Sequence, residues 1–190
     1  MLKPNEDIIN YYYFSRVMSD KEIEEIKELS KTYPLIDGNV SGKVDKTYRV
    51  SDIKWIPPND TTKDIYEKCK TLACCANERT WKFHVTNVKE HLQFTEYRSS
   101  KVADNGHYDW HMDFGKESST RKVSMVILLS DPNDYEGGDL EFMIHRNIIK
   151  APKEKGTAIF FPSYIMHRVT PVTSGTRNSL VTWYHGPPFV

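Results

Sequence analysis

Cysteine is scarce in this chain of 190 residues: there are three, Cys69, Cys74 and Cys75, all on one predicted helix. An odd, clustered set with no Cys-x2-Cys pair speaks against a disulfide framework and against a structural zinc site. The expectation is free thiols in a reducing, cytoplasmic setting. No apolar run is long enough to span a bilayer, and the N-terminal Met1 to Asp7 lacks the apolar core of a signal peptide, so no membrane association is expected. Neither sign of charge is in excess, with 26 Lys+Arg against 26 Asp+Glu and a net charge of +0. That balance argues against a broad nucleic-acid-binding face, although it leaves a local basic patch open. No internal repeat, linker or low-complexity tract divides the chain. Residues 1–190 are therefore expected to form a single domain, large enough to enclose a core.

The first third of the chain is helical in pattern. An aromatic run, Tyr11-Tyr12-Tyr13-Phe14, reads as a strand. Ser19 stands three before Glu22, a capping box, and Ile23, Ile26 and Leu29 follow at helical spacing, which predicts a helix over 19–32. A short strand is expected near 48–55. Thr61 or Thr62 is the expected cap of a second helix, with Ile65, Cys69, Leu72, Ala73 and Ala76 on its apolar stripe. Cys69 reads as a small buried hydrophobe on that stripe.

Beyond Asn77 the period changes to alternation. Trp81, Phe83 and Val85 share one strand face, and Leu92 and Phe94 share another, with Gln93, Thr95 and Tyr97 opposite. Further strands are expected at 107–114, 123–129, 140–144, 157–161, 165–169 and 177–185. Asp131-Pro132, Gly137-Gly138, the 153–156 segment and Gly175 mark turns. The Lys150 to Lys155 tract reads as a solvated turn. Helices first and then about eight short strands predict a mainly β, α+β architecture. The expected form is a β-sandwich or jelly roll, with the N-terminal helices packed outside one sheet.

The chemistry centres on His107-Tyr108-Asp109-Trp110-His111-Met112-Asp113-Phe114. In a strand, residues two apart face the same way, so Asp109, His111 and Asp113 project together and Tyr108, Trp110, Met112 and Phe114 project oppositely. An imidazole and a carboxylate at i and i+2 are half of a metal grip. A second histidine completes a 2-His-1-carboxylate facial triad, the ligand set of non-haem iron(II). Of the seven histidines, His167 is the expected partner, because Arg177 follows ten residues later across the Pro171/Gly175 turn. If these two strands pair as a hairpin, His167 and Arg177 face one interior. A buried guanidinium needs an anion, and its planar fork grips a carboxylate in bidentate fashion. Iron at one end and arginine at the other predict a chelating dicarboxylate, and 2-oxoglutarate fits.

These residues carry a resemblance. The ordered set is Leu92-Gln93-Phe94-Thr95-Glu96-Tyr97, His111-x-Asp113, Leu129-Ser130-Asp131-Pro132 with Tyr135-Glu136-Gly137-Gly138-Asp139-Leu140, Phe161-Pro162-Ser163, and His167 through Arg177. Together they resemble the Fe(II)/2-oxoglutarate-dependent dioxygenases, and more narrowly the prolyl 4-hydroxylase-like and PKHD-type hydroxylases. The resemblance covers about 48–183. It implies a double-stranded β-helix, cupin-like, with a core over about 81–186 and helical support over about 1–80. It implies His111, Asp113 and His167 as iron ligands, Arg177 for the far carboxylate of 2-oxoglutarate, and Tyr97 as a further cosubstrate contact. Tyr108 and Trp183 match aromatic positions near the substrate, although alternation sets Tyr108 on the face opposite His111. Trp183, by contrast, shares parity with Arg177.

The loop between Tyr97 and His111 is longer than in typical prolyl hydroxylases, and Leu140 stands where many of them have threonine, a feature the PKHD type shares. The activity implied is hydroxylation of an unactivated C–H bond with O2 and 2-oxoglutarate, with ascorbate as reductant and a prolyl residue of a peptide or protein as substrate. Alternatives are another amino acid, a small molecule or a nucleic acid as substrate, or a non-catalytic jelly-roll binding module. No further arginine follows Arg177 closely, which argues against a nucleic-acid repair enzyme.

Overall fold

The computed structural model describes residues 10–37, 45–88, 90–100 and 104–189. In chain order the elements are β1 (Tyr12–Phe14), α1 (Asp20–Ser30), β2 (Ile36–Asp37), β3 (Arg49–Val50), β4 (Asp52–Ile56), α2 (Lys63–Arg79), β5 (Asn87–Val88), β6 (Leu92–Arg98) and β7 (His107–His111). After a short 3-10 turn at Lys116–Ser118 come β8 (Arg121–Leu128), β9 (Tyr135–Gly137), β10 (Leu140–Ile144), β11 (Asn147–Lys150), β12 (Ala158–Pro162), β13 (His167–Val169) and β14 (Val172–His185). The large sheet runs β1-β12-β8-β14-β6-β4-β2, with β5 and β9 also paired to β14, and the small sheet runs β11-β10-β13-β7-β3. The small sheet faces the large one, as the jelly-roll pattern predicts, in a double-stranded β-helix.

Two cores follow from the alternation. On the outer face of the large sheet, Met125, Ile127, Phe160, Leu92, Phe94 and Leu180 meet Ile23 and Ile26 of α1 and Cys69, Ala73 and Ala76 of α2. Between the sheets, Val126, Leu128, Ile159 and Phe161 meet Leu140, Phe142, Ile144 and Val169. Strand β8 is therefore buried on both faces, which is why its sequence is an almost continuous apolar run. The Ser19–Glu22 capping box forms as expected. No helix among the described residues is long and apolar enough to cross a membrane.

Several expectations are corrected. Residues 1–9 lie outside the described residues, and the first strand is only Tyr12–Phe14. The Thr62 hydroxyl does not cap α2. It bonds Pro57 O at 2.9 Å, and the Asn59 side chain accepts from the Thr61 and Thr62 amides instead. Residues 81–85 alternate in exposure but are not a strand: the Phe83 backbone is held by the Asn77 side chain at the end of α2, and β5 begins only at Asn87. The strand expected at 107–114 stops at His111. Lys150, Lys153 and Lys155 are not simply solvated: Lys150 pairs with Asp139 at 2.6 Å, Lys153 with Asp139 at 3.3 Å, and Lys155 with Asp20 at 2.8 Å. Most consequentially, β13 and β14 form no hairpin. The chain crosses from the small sheet to the large one between them, so His167 and Arg177 face each other from opposite walls.

Candidate metal centre

His111 ends β7 and His167 begins β13, and the two residues are register partners. Two residues later the register has slipped, with Val169 opposite Tyr108, so β7 holds one extra residue. This bulge overturns strict alternation. It turns Asp109 out to solvent and brings Tyr108 onto the His111 face, where the two rings stack with centroids 3.5 Å apart and planes 15° apart. The expectation that Asp109 shares the His111 face, and that Tyr108 does not, is therefore wrong.

Asp113 lies in the turn beyond the strand. Its carboxylate accepts a hydrogen bond from Ser124 Oγ at 2.6 Å, with Ser163 Oγ 3.0 Å behind that hydroxyl. Arg121 donates to its carbonyl at 3.3 Å, and the Phe114 amide donates to Ser163 O at 3.0 Å. Among the described residues, His111, Asp113 and His167 form the one group whose donor atoms could share a metal ion. All three donor atoms lie within 4.8 Å of one another and are buried.

The histidine tautomers are set by their backs. His111 Nδ1 lies 2.7 Å from Asp109 O and His167 Nδ1 lies 2.9 Å from Ile165 O. A carbonyl only accepts, so each Nδ1 carries a proton, and in the neutral imidazole each Nε2 then turns its lone pair inward. His111 Nε2 stands 3.8 Å and His167 Nε2 3.6 Å from the Asp113 oxygens. Burial, then the neighbouring His167, pushes the His111 pKa down to about 3, so its imidazole is neutral. Burial raises the Asp113 carboxyl, but His167, His111, Arg121 and the Ser124 hydroxyl outweigh it and hold the pKa below the usual value. With both imidazoles in their neutral form, as metal binding requires, two lone pairs and a carboxylate converge. That arrangement repels itself unless a cation sits at its centre, and its donor set suits non-haem iron(II).

A cavity of about 470 Å³ opens from this cluster and is lined across from it by Arg177, Ser179, Val181 and Trp183 of β14, which share one strand face as their parity predicts. Arg177 is only 1% exposed. Its Nη1 reaches Ser179 Oγ at 3.2 Å, and its Nε and Nη2 have no protein partner. Tyr97, opposite Arg177 across the β6–β14 pairing, presents its ring 5.4 Å from the guanidinium carbon. A buried cation with two unspent donors fits a carboxylate entering from the cavity. Trp183 lines the same space, with its indole nitrogen buried and without a protein acceptor.

All seven sequence-derived site residues thus border one cavity: His111, Asp113, His167, Arg177, Tyr97, Tyr108 and Trp183. The structure adds residues the sequence reading passed over. Arg49 stacks on Tyr108 at 4.5 Å, Arg121 lies 3.8 Å over the Trp183 ring and pairs with Glu90, and Trp55 stands 6.4 Å from Trp183. Only the parity of Ser124 with Val126 in β8 could have pointed to its inward position. The remaining long-range contacts carry no local signal. His107 Nε2 lies 3.3 Å from Thr47 O, and His185 meets Thr120 and Glu90.

A model of the 2OG-Fe(II) oxygenase superfamily matches residues 92–185. A PKHD-type hydroxylase of Crocosphaera subtropica is 26% identical over 174 residues, which cover 89% of this chain and 75% of that protein. A PKHD-type hydroxylase of Synechococcus sp. is 38% identical over 86 residues, 44% of this chain and only 37% of its own length. Among solved structures, a Pseudomonas putida prolyl-4-hydroxylase superposes with a TM-score of 0.73 at 19% identity, covering 93% of each chain. A Trichoplax adhaerens prolyl hydroxylase, solved with a hypoxia inducible factor peptide fragment, gives 0.76 at 18% identity, covering 93% of this chain and 83% of its own. At these identities the superpositions establish a common fold.

Proposed function

We propose that this chain, whose residues 92–185 match the 2OG-Fe(II) oxygenase superfamily, is an oxygenase of that kind and that it hydroxylates a prolyl residue of a peptide or protein. In this reading residues 1–190 act as one oxygenase domain in a reducing, cytoplasmic setting, with ascorbate as the reductant that keeps the iron ferrous. The observation that carries it is the pairing, across one cavity, of the converging His111/Asp113/His167 cluster with the two unspent donors of Arg177. The first end suits iron(II); the second suits the far carboxylate of 2-oxoglutarate. When bound, iron and 2-oxoglutarate together with dioxygen supply the oxidising power to cleave an unactivated C–H bond, and 2-oxoglutarate leaves as succinate and carbon dioxide.

The chain's own residues do the rest. The Asp109 and Ile165 carbonyls hold both imidazoles in the ligating tautomer, and the Ser124 hydroxyl fixes the Asp113 carboxylate. Tyr108 and Phe161 pack on the two imidazoles, the latter with centroids 4.6 Å from His167, and keep bulk water away. Tyr97 flanks the guanidinium of Arg177 and shares in holding the carboxylate. Trp183 and Trp55 offer an aromatic wall for an apolar ring, and the free indole N–H of Trp183 offers a donor to a peptide carbonyl. The peptide-bound Trichoplax structure supports a peptide as substrate.

The test is incubation with iron(II), 2-oxoglutarate, ascorbate, air and proline-containing peptides. Peptide gain of one oxygen with stoichiometric succinate is expected. Succinate release that never couples to peptide oxidation, across a broad peptide panel, would remove the prolyl reading and leave the oxygenase.

A further inference from the structure

Arg177 is a partition. On one side lies the 470 Å³ cavity; on the other lies a void of about 10 Å³ bordered by Tyr135, Gly138, Leu140 and Lys153, with room for one water at most. The guanidinium stem rests against Gly138. A Cβ built at Gly138 would stand 2.9 Å from Arg177 Cδ, 3.0 Å from Val172 Cγ2 and 3.2 Å from Tyr135 Cε2. Gly138 has a φ of +61°, a conformation that alanine tolerates only at some cost. The Tyr135 ring backs the same spot, and it is itself held by the Lys153 ammonium 4.4 Å from its centroid. Lys153 in turn donates to Gly137 O at 2.6 Å. The Ser179 hydroxyl and the Tyr97 ring hold the guanidinium from the cavity side, and behind its stem the missing side chain of Gly138 and the edge of Tyr135 leave the room it occupies.

We propose that Gly138 and Tyr135 set the depth of the anion pocket and thereby the chain length of the 2-oxo acid this protein accepts. The inference rests on the cosubstrate reading above. A comfortable carbon–carbon contact is about 3.5–4.0 Å, so a methyl at position 138 moves Arg177 into the cavity by roughly 1 Å. That is close to the length one methylene adds to a chain, given carbon–carbon bonds of about 1.5 Å. Gly138→Ala therefore favours a four-carbon 2-oxo acid over the five-carbon one. Tyr135→Leu works in the other direction: it enlarges the void behind Arg177, lets the guanidinium settle deeper and favours a six-carbon acid. One methylene misfit in a fitted site costs about 10- to 200-fold in affinity.

The experiment is anaerobic calorimetry of the full chain loaded with iron(II), titrated with oxaloacetate, 2-oxoglutarate and 2-oxoadipate. It is read for the wild type, Gly138→Ala and Tyr135→Leu, with a thermal melt to establish folding. Wild type should take 2-oxoglutarate at least tenfold more tightly than either neighbour. The affinity ratio of oxaloacetate to 2-oxoglutarate should rise at least tenfold in Gly138→Ala, and the ratio of 2-oxoadipate to 2-oxoglutarate should rise in Tyr135→Leu. If Gly138→Ala does not fold, Tyr135→Leu carries the test alone. Equal weakening for all three acids, or unchanged ratios, overturns the inference while the cosubstrate reading stands. A wild-type protein that binds iron but none of the three acids overturns both.

Discussion

Tyr108 lies flat against His111, ring centroids 3.5 Å apart, although three positions in a regular strand would place them on opposite faces. The extra residue between them makes the contact, and the Arg49 guanidinium closes the stack from the other side of Tyr108 at 4.5 Å. An imidazole clamped in this way cannot rotate out of the cluster. Tyr108→Phe keeps the ring and should bind iron(II) as the wild type does. Tyr108→Ala frees the imidazole and should weaken metal binding by ~10–100-fold, the usual cost of losing an orienting partner. Anaerobic iron(II) titration of the two variants separates the cases, and equal affinities would show that the stack does not orient His111.

Ser124→Ala leaves the Asp113 carboxylate in place but removes its 2.6 Å hydrogen bond. A loss of ~10–100-fold in metal affinity is expected, with secondary structure unchanged. Asp113→Asn removes the charge itself and should cost more than Ser124→Ala. Calorimetry on both variants checks the order, and a milder effect for Asp113→Asn would contradict the assignment of that carboxylate as a ligand.

Arg177 is a buried cation that no carboxylate among the described residues neutralises. A buried charge without a counter-ion carries a desolvation cost that an apolar side chain of similar length does not. Arg177→Met should therefore melt no lower than wild type while losing 2-oxoglutarate binding. A marked drop in melting temperature would mean that the arginine is a structural element rather than an anion receptor.

Acid should destabilise the metal-free protein through His111. Its folded pKa of about 3 lies below the ordinary value of 6.5, so the unfolded chain takes up this proton first. Stability then falls as pH drops from about 6.5 toward 3, because the unfolded state binds more protons over that window. Asp113, also held below its usual value, adds to the loss at the acid end, where its carboxylate is protonated. Melting temperatures from pH 7 to pH 4 should decline, and His111→Gln should flatten the slope between pH 6.5 and 5. An identical slope in that variant would refute the linkage.

Much of this was legible in the residues. The Ser19 capping box, the one-sided stripe of α2 and the doubly buried β8 follow from periodicity, because each is decided by neighbours within a few positions. The shared face of Arg177, Ser179, Val181 and Trp183 follows in the same way from parity along a single strand. Parity failed at β7, since an added residue in a strand is felt only through its partner β13 and leaves no mark on its own sequence. It also gave no warning that β13 and β14 part company into separate sheets.

The choice of His111, Asp113, His167 and Arg177 as the candidate set was therefore a matter of residue type and order alone: two histidines, an aspartate and a guanidinium in a recognisable sequence of strands. Folding in three dimensions decided everything that depends on one strand meeting another. It set Arg177 across a cavity from the metal cluster and laid Tyr108 on His111. It also placed a glycine behind the guanidinium, where the absence of a side chain sets the depth of the pocket. Local pattern reports which way a side chain points within its own strand, whereas the distance between two walls is a property of the packed sheets.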